Sequence, residues 1–375
     1  MTTRTRVLHV IDSLDLGGAQ VVVLNLLEHA DRKRFEVEAA CLHGHGVFWK
    51  RLCDTGLPIH SLSPHRLFPI YLPALASLIL RRRYEIVHCH LLGANLLAKP
   101  LAALLGVPVR INHDHCNDKR DNPHGIVATA DRLANRLSTH ICAVSETTRS
   151  FLLESENIAS DRVSTIHNGI NLQTFQPRPH LRSSTRSRWD LPEDAFVVGG
   201  IGRLTYQKNF ALFLEVASAV IKHHPHAVFV IAGTGEDDPA LREQAANLGL
   251  GSQIRFLGHI EEISLLYPAL DVLLLPSRYE GLPITVLEAM AVGLPIIASR
   301  LDGIAEVLVD GESGYLVEPG DRDAFVACVH RSISDPDRSR RYSEVALAKV
   351  REEHSAEAMT RAVESIYNHA LNLDR

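Results

Sequence analysis

The 375-residue sequence contains no run of eighteen or so apolar residues, so no segment is long enough to span a bilayer as a helix. Its first residues, Met1 to Arg6, lead straight into a strand-like run with no apolar leader. A cytoplasmic protein is expected, with any membrane contact peripheral. The six cysteines, Cys41, Cys53, Cys89, Cys116, Cys142 and Cys328, contain no C-x-x-C pair, and several sit in apolar runs where a thiol acts as a small hydrophobe. That excludes a disulfide scaffold and points to a reducing compartment without a structural metal. An excess of positive charge is also missing. The formal net charge of -5 argues against a general nucleic-acid binder, although arginine is concentrated at Arg81-Arg82-Arg83 and between Arg178 and Arg188. The first of these runs, beside the apolar and aromatic stretch Leu67 to Tyr71, could meet an anionic membrane surface. No G-x-G-x-x-G fingerprint follows the first strand, so a dinucleotide cofactor is not indicated.

What is present is an alternation of short apolar runs with helical patterns. In the first half the strands read Arg6–Ile11, Phe35–Leu42, Pro58–Leu62, Ile86–His88, Val107–Asn112, Ile141–Glu146 and one from Val163. The intervening helices fall near Val21–His29, Val47–Thr55, Leu72–Arg83, Ala94–Leu105 and Gly125–Leu137. The pattern restarts with strands at Phe196–Gly202, Ala227–Ala232, Ile254–Leu257, Val272–Leu275 and Pro295–Ala298, and helices at Phe210–His223, Pro239–Leu248 and near Ile263–Leu266. Strand and helix in alternation make βαβ units, hence an α/β fold of two Rossmann-like doubly wound domains. Residues 176–189, rich in proline, serine and arginine, read as the connection. The first domain then spans 1–177 and the second 178–354, and three amphipathic helices complete the chain.

In such sheets ligands bind beyond the carboxyl ends of the strands, which is where the candidate residues fall. Arg278 to Ala291 follows a buried strand as a tight turn and a helix start, with Pro283 suited to a first helical position and Glu288 about two turns into the helix. A helix start attracts an anion such as phosphate. Glu280 and Glu288 would repel phosphate, but a carboxylate is a good bidentate acceptor for sugar hydroxyls. Arg203 and Lys208, on the loop after the first strand of the second half, combine a fork and a point charge, which suits a diphosphate; surface cations are the simpler alternative. Gly17-Gly18 could let backbone approach a phosphate, or form an ordinary turn. The His88-x-His90 and His113-x-His115 pairs suggest zinc, but no third ligand pattern lies near them in the sequence.

Glu280 and Glu288, inside Glu-Gly-Leu-Pro…Glu-Ala-Met-Ala, resemble the E-x7-E motif of retaining glycosyltransferases of the GT-B fold, family 4. The resemblance extends to Gly17-Gly18-Ala19, Arg110 to His115, Asn168-Gly169, and Gly202-Arg203-Leu204…Lys208-Asn209. It implies two domains facing a cleft, with a final helix, within 355–375, crossing back to the first domain. It also implies a nucleotide-sugar donor, UDP- or GDP-linked, a carbohydrate or lipid-linked hydroxyl acceptor, and no cofactor or metal. On this resemblance Glu288 grips the ribose, Arg203 and Lys208 the diphosphate, and Glu280 the sugar hydroxyls. His115 first, His113 second, would reach the sugar near its reacting carbon. Gly233, His259, Ile260, Gly281, Leu282 and Pro283 would complete the donor contacts, and loops such as Ser63 to Pro69 the acceptor face. Two alternatives share the fold: a sugar-nucleotide 2-epimerase and a non-catalytic sugar-nucleotide-binding protein.

Overall fold

The structure is a computed structural model that describes residues 4–15, 17–63, 71–115 and 125–371. The chain forms two compact units, one of residues 1–169 with 356–375 and the other of residues 170–355. Each is built on one parallel sheet.

The first unit has seven strands: β1 Thr5–Ser13, β2 Phe35–His43, β3 Ile59–Ser61, β4 Ile86–His90, β5 Val109–Asp114, β6 His140–Ala143 and β7 Val163–Thr165. Their order is β3-β2-β1-β4-β5-β6-β7, so the strand order reverses between β1 and β4. The second unit has six: β8 Phe196–Ile201, β9 Ala227–Ala232, β10 Ile254–Gly258, β11 Val272–Leu275, β12 Ile296–Ser299 and β13 Tyr315–Val317. Their order is β10-β9-β8-β11-β12-β13, reversing between β8 and β11. A parallel sheet is covered by helices on both faces, which is why β9 and β11 are apolar throughout and buried along their length. In the second unit Phe213 of the helix Phe210–Ile221 packs edge-on against Phe229 of β9, and both are fully buried.

Two expectations need correction. Residues 176–189 are not an open connection. They hold a 3-10 turn, Pro179–Leu181, and a helix, Arg182–Arg188, folded into the second unit. Arg186, 0% exposed, explains why: its guanidinium donates to the carbonyls of Ala269, Pro192, Glu193 and Ala195 and to Asp271 at 2.6–3.2 Å. Five polar partners replace the water that the charge gives up. The division between units accordingly falls after residue 169. Second, β13 was not anticipated, because three residues carry no periodicity. In the arginine run, Arg82 pairs with Glu36 at 3.2 Å and with buried Glu38, while Arg81 and Arg83 are exposed. The apolar residues 67–70 beside that run, and acceptor-loop residues 64–69, lie outside the described residues.

Ser145 caps the helix Glu146–Glu154, its hydroxyl accepting from Thr148 N at 3.1 Å. The final helix, Ala356–Ala370, belongs to the first unit, where the Tyr367 hydroxyl lies 2.7 Å from His88 Nδ1. Cys41, Cys89, Cys142 and Cys328 are buried free thiols and Cys53 is an exposed one. Among the described residues no helix is long and apolar enough to cross a membrane.

Candidate active site

In the second unit the candidate residues gather at the carboxyl ends of β8, β9 and β11. After β8 the chain passes through Gly202 and exposed Arg203 into the short turn Tyr206–Lys208. Asn209 then takes a left-handed conformation, φ 54°, and opens the helix Phe210–Ile221. This reversal turns Lys208 back, so that its Nζ donates to Glu280 Oε1 at 2.6 Å, with both side chains largely buried. Gln207 Nε2 reaches Glu280 Oε2 at 3.3 Å and the Tyr279 carbonyl at 3.1 Å, fixing the carboxylate on its other oxygen. Arg278 joins the same two loops, donating to Asn209 Oδ1 at 2.9 Å, with its guanidinium 4.3 Å from the Tyr206 ring centroid.

Past Glu280, the residues Gly281, Leu282 and Pro283 are buried. Pro283 is the cap preceding the helix Ile284–Ala291, not its first residue, and its ψ of 126° is extended. Glu288 consequently lies a little over one turn in, not two. It is 6% exposed, and its Oε2 accepts from the Tyr267 hydroxyl at 2.6 Å. Burial, reinforced by the Glu288 charge, raises the Tyr267 phenol well above its ordinary pKa, so it remains a donor. The carboxylate is therefore held in place before any ligand arrives.

Gly233, at φ 146°, follows β9 beside the Gly202 loop, and a Cβ there would overlap the Gly202 carbonyl. His259 and Ile260, after β10, line an open pocket of about 270 Å³ with Trp189 and Leu265.

In the first unit Gly17 precedes the helix Gly18–Glu28, with the Gln20 side chain folded back onto the Ser13 carbonyl at 2.9 Å. The two histidine pairs do not stand alone. In the sheet register His9 faces His88, and His90 faces His113, so that the strand order β1-β4-β5 puts five imidazoles, with His115, at one end of the sheet. His9 Nδ1 lies 3.1 Å from His90 Nε2, and His90 Nδ1 lies 3.1 Å from His115 Nε2. The His113 and His115 rings stack at 4.5 Å. Burial lowers all five pKa values, to about 3 for His9 and His115 and well below the ordinary value for the rest, so each ring is neutral at neutral pH. A third ring nitrogen that the sequence did not reveal lies close to each pair, since His9, His88 and His90 group together, as do His90, His113 and His115.

Several neighbours were given no role from the sequence: Gln207, Tyr267, Arg278, His9 and Asp12, whose half-buried carboxylate accepts from Gly93 N at 2.7 Å and Ala94 N. None of these carried a local signal, unlike His90, which the two-residue spacing puts on one strand face with His88.

The model for Glycosyltransferase Family 4 matches residues 16–174, and that for Glycosyl transferases group 1 matches residues 182–348. A Bacillus subtilis protein named "Putative glycosyltransferase EpsF" is 30% identical over 324 residues, 81% of each chain. The chain is a family 4 glycosyltransferase. This glycosyltransferase is also similar to an Escherichia coli UDP-Gal:alpha-D-GlcNAc-diphosphoundecaprenol alpha-1,3-galactosyltransferase, at 27% identity over 338 residues, 85% of this chain and 86% of that one. Its fold matches the crystal structure of Anabaena Alr3699/HepE in complex with UDP-glucose, with a TM-score of 0.87 at 19% identity over 98% of this chain and 100% of that one. The two parallel sheets of this family 4 glycosyltransferase are thus the GT-B pattern.

Proposed function

We propose that this glycosyltransferase moves a sugar from a UDP- or GDP-sugar to a hydroxyl of a carbohydrate or lipid-linked acceptor, retaining the anomeric configuration. The observation that carries the reading is the Lys208–Glu280 pair, 2.6 Å apart beyond the ends of β8 and β11. It sets a cation suited to a diphosphate against a carboxylate suited to sugar hydroxyls, where the strand order reverses and a ligand is expected. Arg203 shares the diphosphate with Lys208, and Glu288, steadied by Tyr267, takes the ribose diol. Gly17, Gly18, Gly233, His259, Ile260 and Gly281 to Pro283 contribute the remaining donor contacts. The neutral imidazole of His115, or of His113, meets the sugar near its reacting carbon.

As the bond from the anomeric carbon to the phosphate oxygen breaks, negative charge grows on the diphosphate, and Arg203, Lys208 and the helix start at Ile284 stabilise it. The charge of the leaving group is met without calling on a metal. The acceptor oxygen bonds the carbon on the face the diphosphate leaves, and its proton passes to a phosphate oxygen. The relatives support the donor class: one is named for UDP-Gal and a diphosphoundecaprenol-linked acceptor, and another was crystallised with UDP-glucose. A role in polysaccharide or glycolipid biosynthesis follows from that acceptor. We place the enzyme on the cytoplasmic face of a membrane, held peripherally by exposed Arg81 and Arg83.

The test is a panel of UDP- and GDP-sugars scored for thermal stabilisation, followed by transfer with the stabilising donor and assignment of the product anomer. An inverted product refutes retention. Stabilisation with neither donor hydrolysis nor transfer supports a non-catalytic binding protein, and a 2-epimer formed without acceptor supports an epimerase.

A further inference from the structure

His113 is 1% exposed, and neither of its ring nitrogens has a hydrogen-bond partner. Nitrogen left bare in a protein interior is unfavourable, because a neutral imidazole has a lone pair on one nitrogen and a proton on the other. The groups close to it include other imidazoles and the Cys142 thiol. His90, His113 and His115 each offer a ring nitrogen within 4.8 Å of the other two.

We propose that His90, His113 and His115 form a binding site for a single divalent first-row transition ion of the zinc type. A tetrahedral ion with zinc–nitrogen bonds of about 2.0–2.1 Å holds its ligand nitrogens roughly 3.3 Å apart. His90 Nδ1 and His115 Nε2, at 3.1 Å, are already within a few tenths of an ångström of that separation. The unpartnered His113 ring can supply the third nitrogen. Three neutral nitrogen donors leave a fourth position open and suit zinc, cobalt, nickel or copper, not calcium or magnesium, which take oxygen.

Behind this set stands the support that metal-bound histidines usually have. His90 Nε2 lies 3.1 Å from His9 Nδ1, so that His9 fixes the tautomer and direction of the ligand ring. Two overlapping sets, His9 with His88 and His90, and His88 with His113 and Cys142, share members with this one, so the cluster takes one ion. Both of those are fully buried, whereas His115 is half-buried and gives the ion a way in. His88 also has its Nδ1 committed to the Tyr367 hydroxyl at 2.7 Å. The ion and the donor sugar would draw on the same His113 and His115 rings, so the ion-bound form is one in which the role proposed for those rings is blocked; the claim is of binding alone and is read without activity.

The full chain, stripped of metal and returned to chelator-free buffer, is titrated with Co²⁺ and followed by visible absorption. The expected result is about one equivalent per chain with the intense bands of a tetrahedral site, displaced by Zn²⁺. His115→Gln, at a half-buried position, and His90→Gln should abolish the bands with the fold intact by circular dichroism. His9→Gln should weaken binding by roughly 10–100-fold, as loss of a supporting hydrogen bond does. In the second unit, His224 Nε2 lies 2.8 Å from His330 Nδ1, which makes this pair the natural competitor. His330→Gln should retain the bands. No uptake of Co²⁺ or Zn²⁺ at micromolar concentration, or bands that survive His115→Gln and vanish in His330→Gln, would overturn the site.

Discussion

Lys208 Nζ and Glu280 Oε1 lie 2.6 Å apart although 72 residues separate them in sequence. The two charges offset each other, so a diphosphate bound as proposed would compete with Glu280 for the same ammonium. Lys208→Ala should lower turnover by roughly a hundredfold or more, the scale of losing one preorganised charge stabiliser. Arg203→Ala should do the same. Steady-state kinetics on the folded variants decide it, and near-wild-type rates in both would sink the diphosphate assignment.

Tyr267→Phe removes only a hydroxyl, yet that hydroxyl is 2.6 Å from a Glu288 oxygen in a buried setting. Loss of the donor to a buried carboxylate should cost about 1–3 kcal/mol of stability. Because the substitution loosens Glu288 without deleting it, KM for the donor should rise several-fold while kcat changes little. A melting curve and a donor titration measure both. An unchanged KM would detach Glu288 from donor binding.

His115→Ala should abolish turnover and leave nucleotide affinity intact, since donor affinity is assigned mostly to the second unit. His113→Ala, at a position 1% exposed, should instead show itself first as a lower melting temperature, because it opens a cavity. If His113→Ala abolishes turnover in a folded protein and His115→Ala does not, the order within the pair is reversed.

His140 offers a test of pH dependence. Its Nε2 lies 2.9 Å from Ser164 Oγ, and burial, with smaller contributions from His369 and Arg162, lowers its pKa to about 4. The folded state therefore keeps this ring neutral while the unfolded chain protonates it near the ordinary value of about 6.5. Stability is full above pH 6.5 and is lost as pH falls toward 4, with a slope of at most about 1.4 kcal/mol per pH unit for this one group. Partial exposure makes the real slope smaller. His140→Asn should flatten the fall in melting temperature between pH 6.5 and 4.5. A constant offset between wild type and variant across that range would show that His140 does not contribute.

The sequence carried the alternation of strands and helices, the two-domain α/β class, and the motif residues of the second unit. A short apolar run or a helical repeat is set by neighbours along the chain, so it is visible in one dimension. Glu280, Glu288, Arg203 and Lys208 could be singled out because residue type and spacing belong to the same local stretch. The turn geometry was harder. Pro283 precedes the helix where it was expected to begin it, and Glu288 moved up accordingly, because a boundary shifts by a residue or two with packing.

What only the tertiary structure decided is which residues from distant stretches meet. No local pattern marks residues 182–188 as a helix, since what holds them is Arg186 among carbonyls contributed as far away as Ala269. Nor does His9 signal anything by itself; it becomes the neighbour of His88 and His90 because the sheet places β1 beside β4. The same holds for Tyr267 under Glu288 and Gln207 beside Glu280. Strand order depends on how each crossover helix packs back onto the sheet, a sum over contacts far apart in the chain, so the composition of any one segment leaves it undetermined.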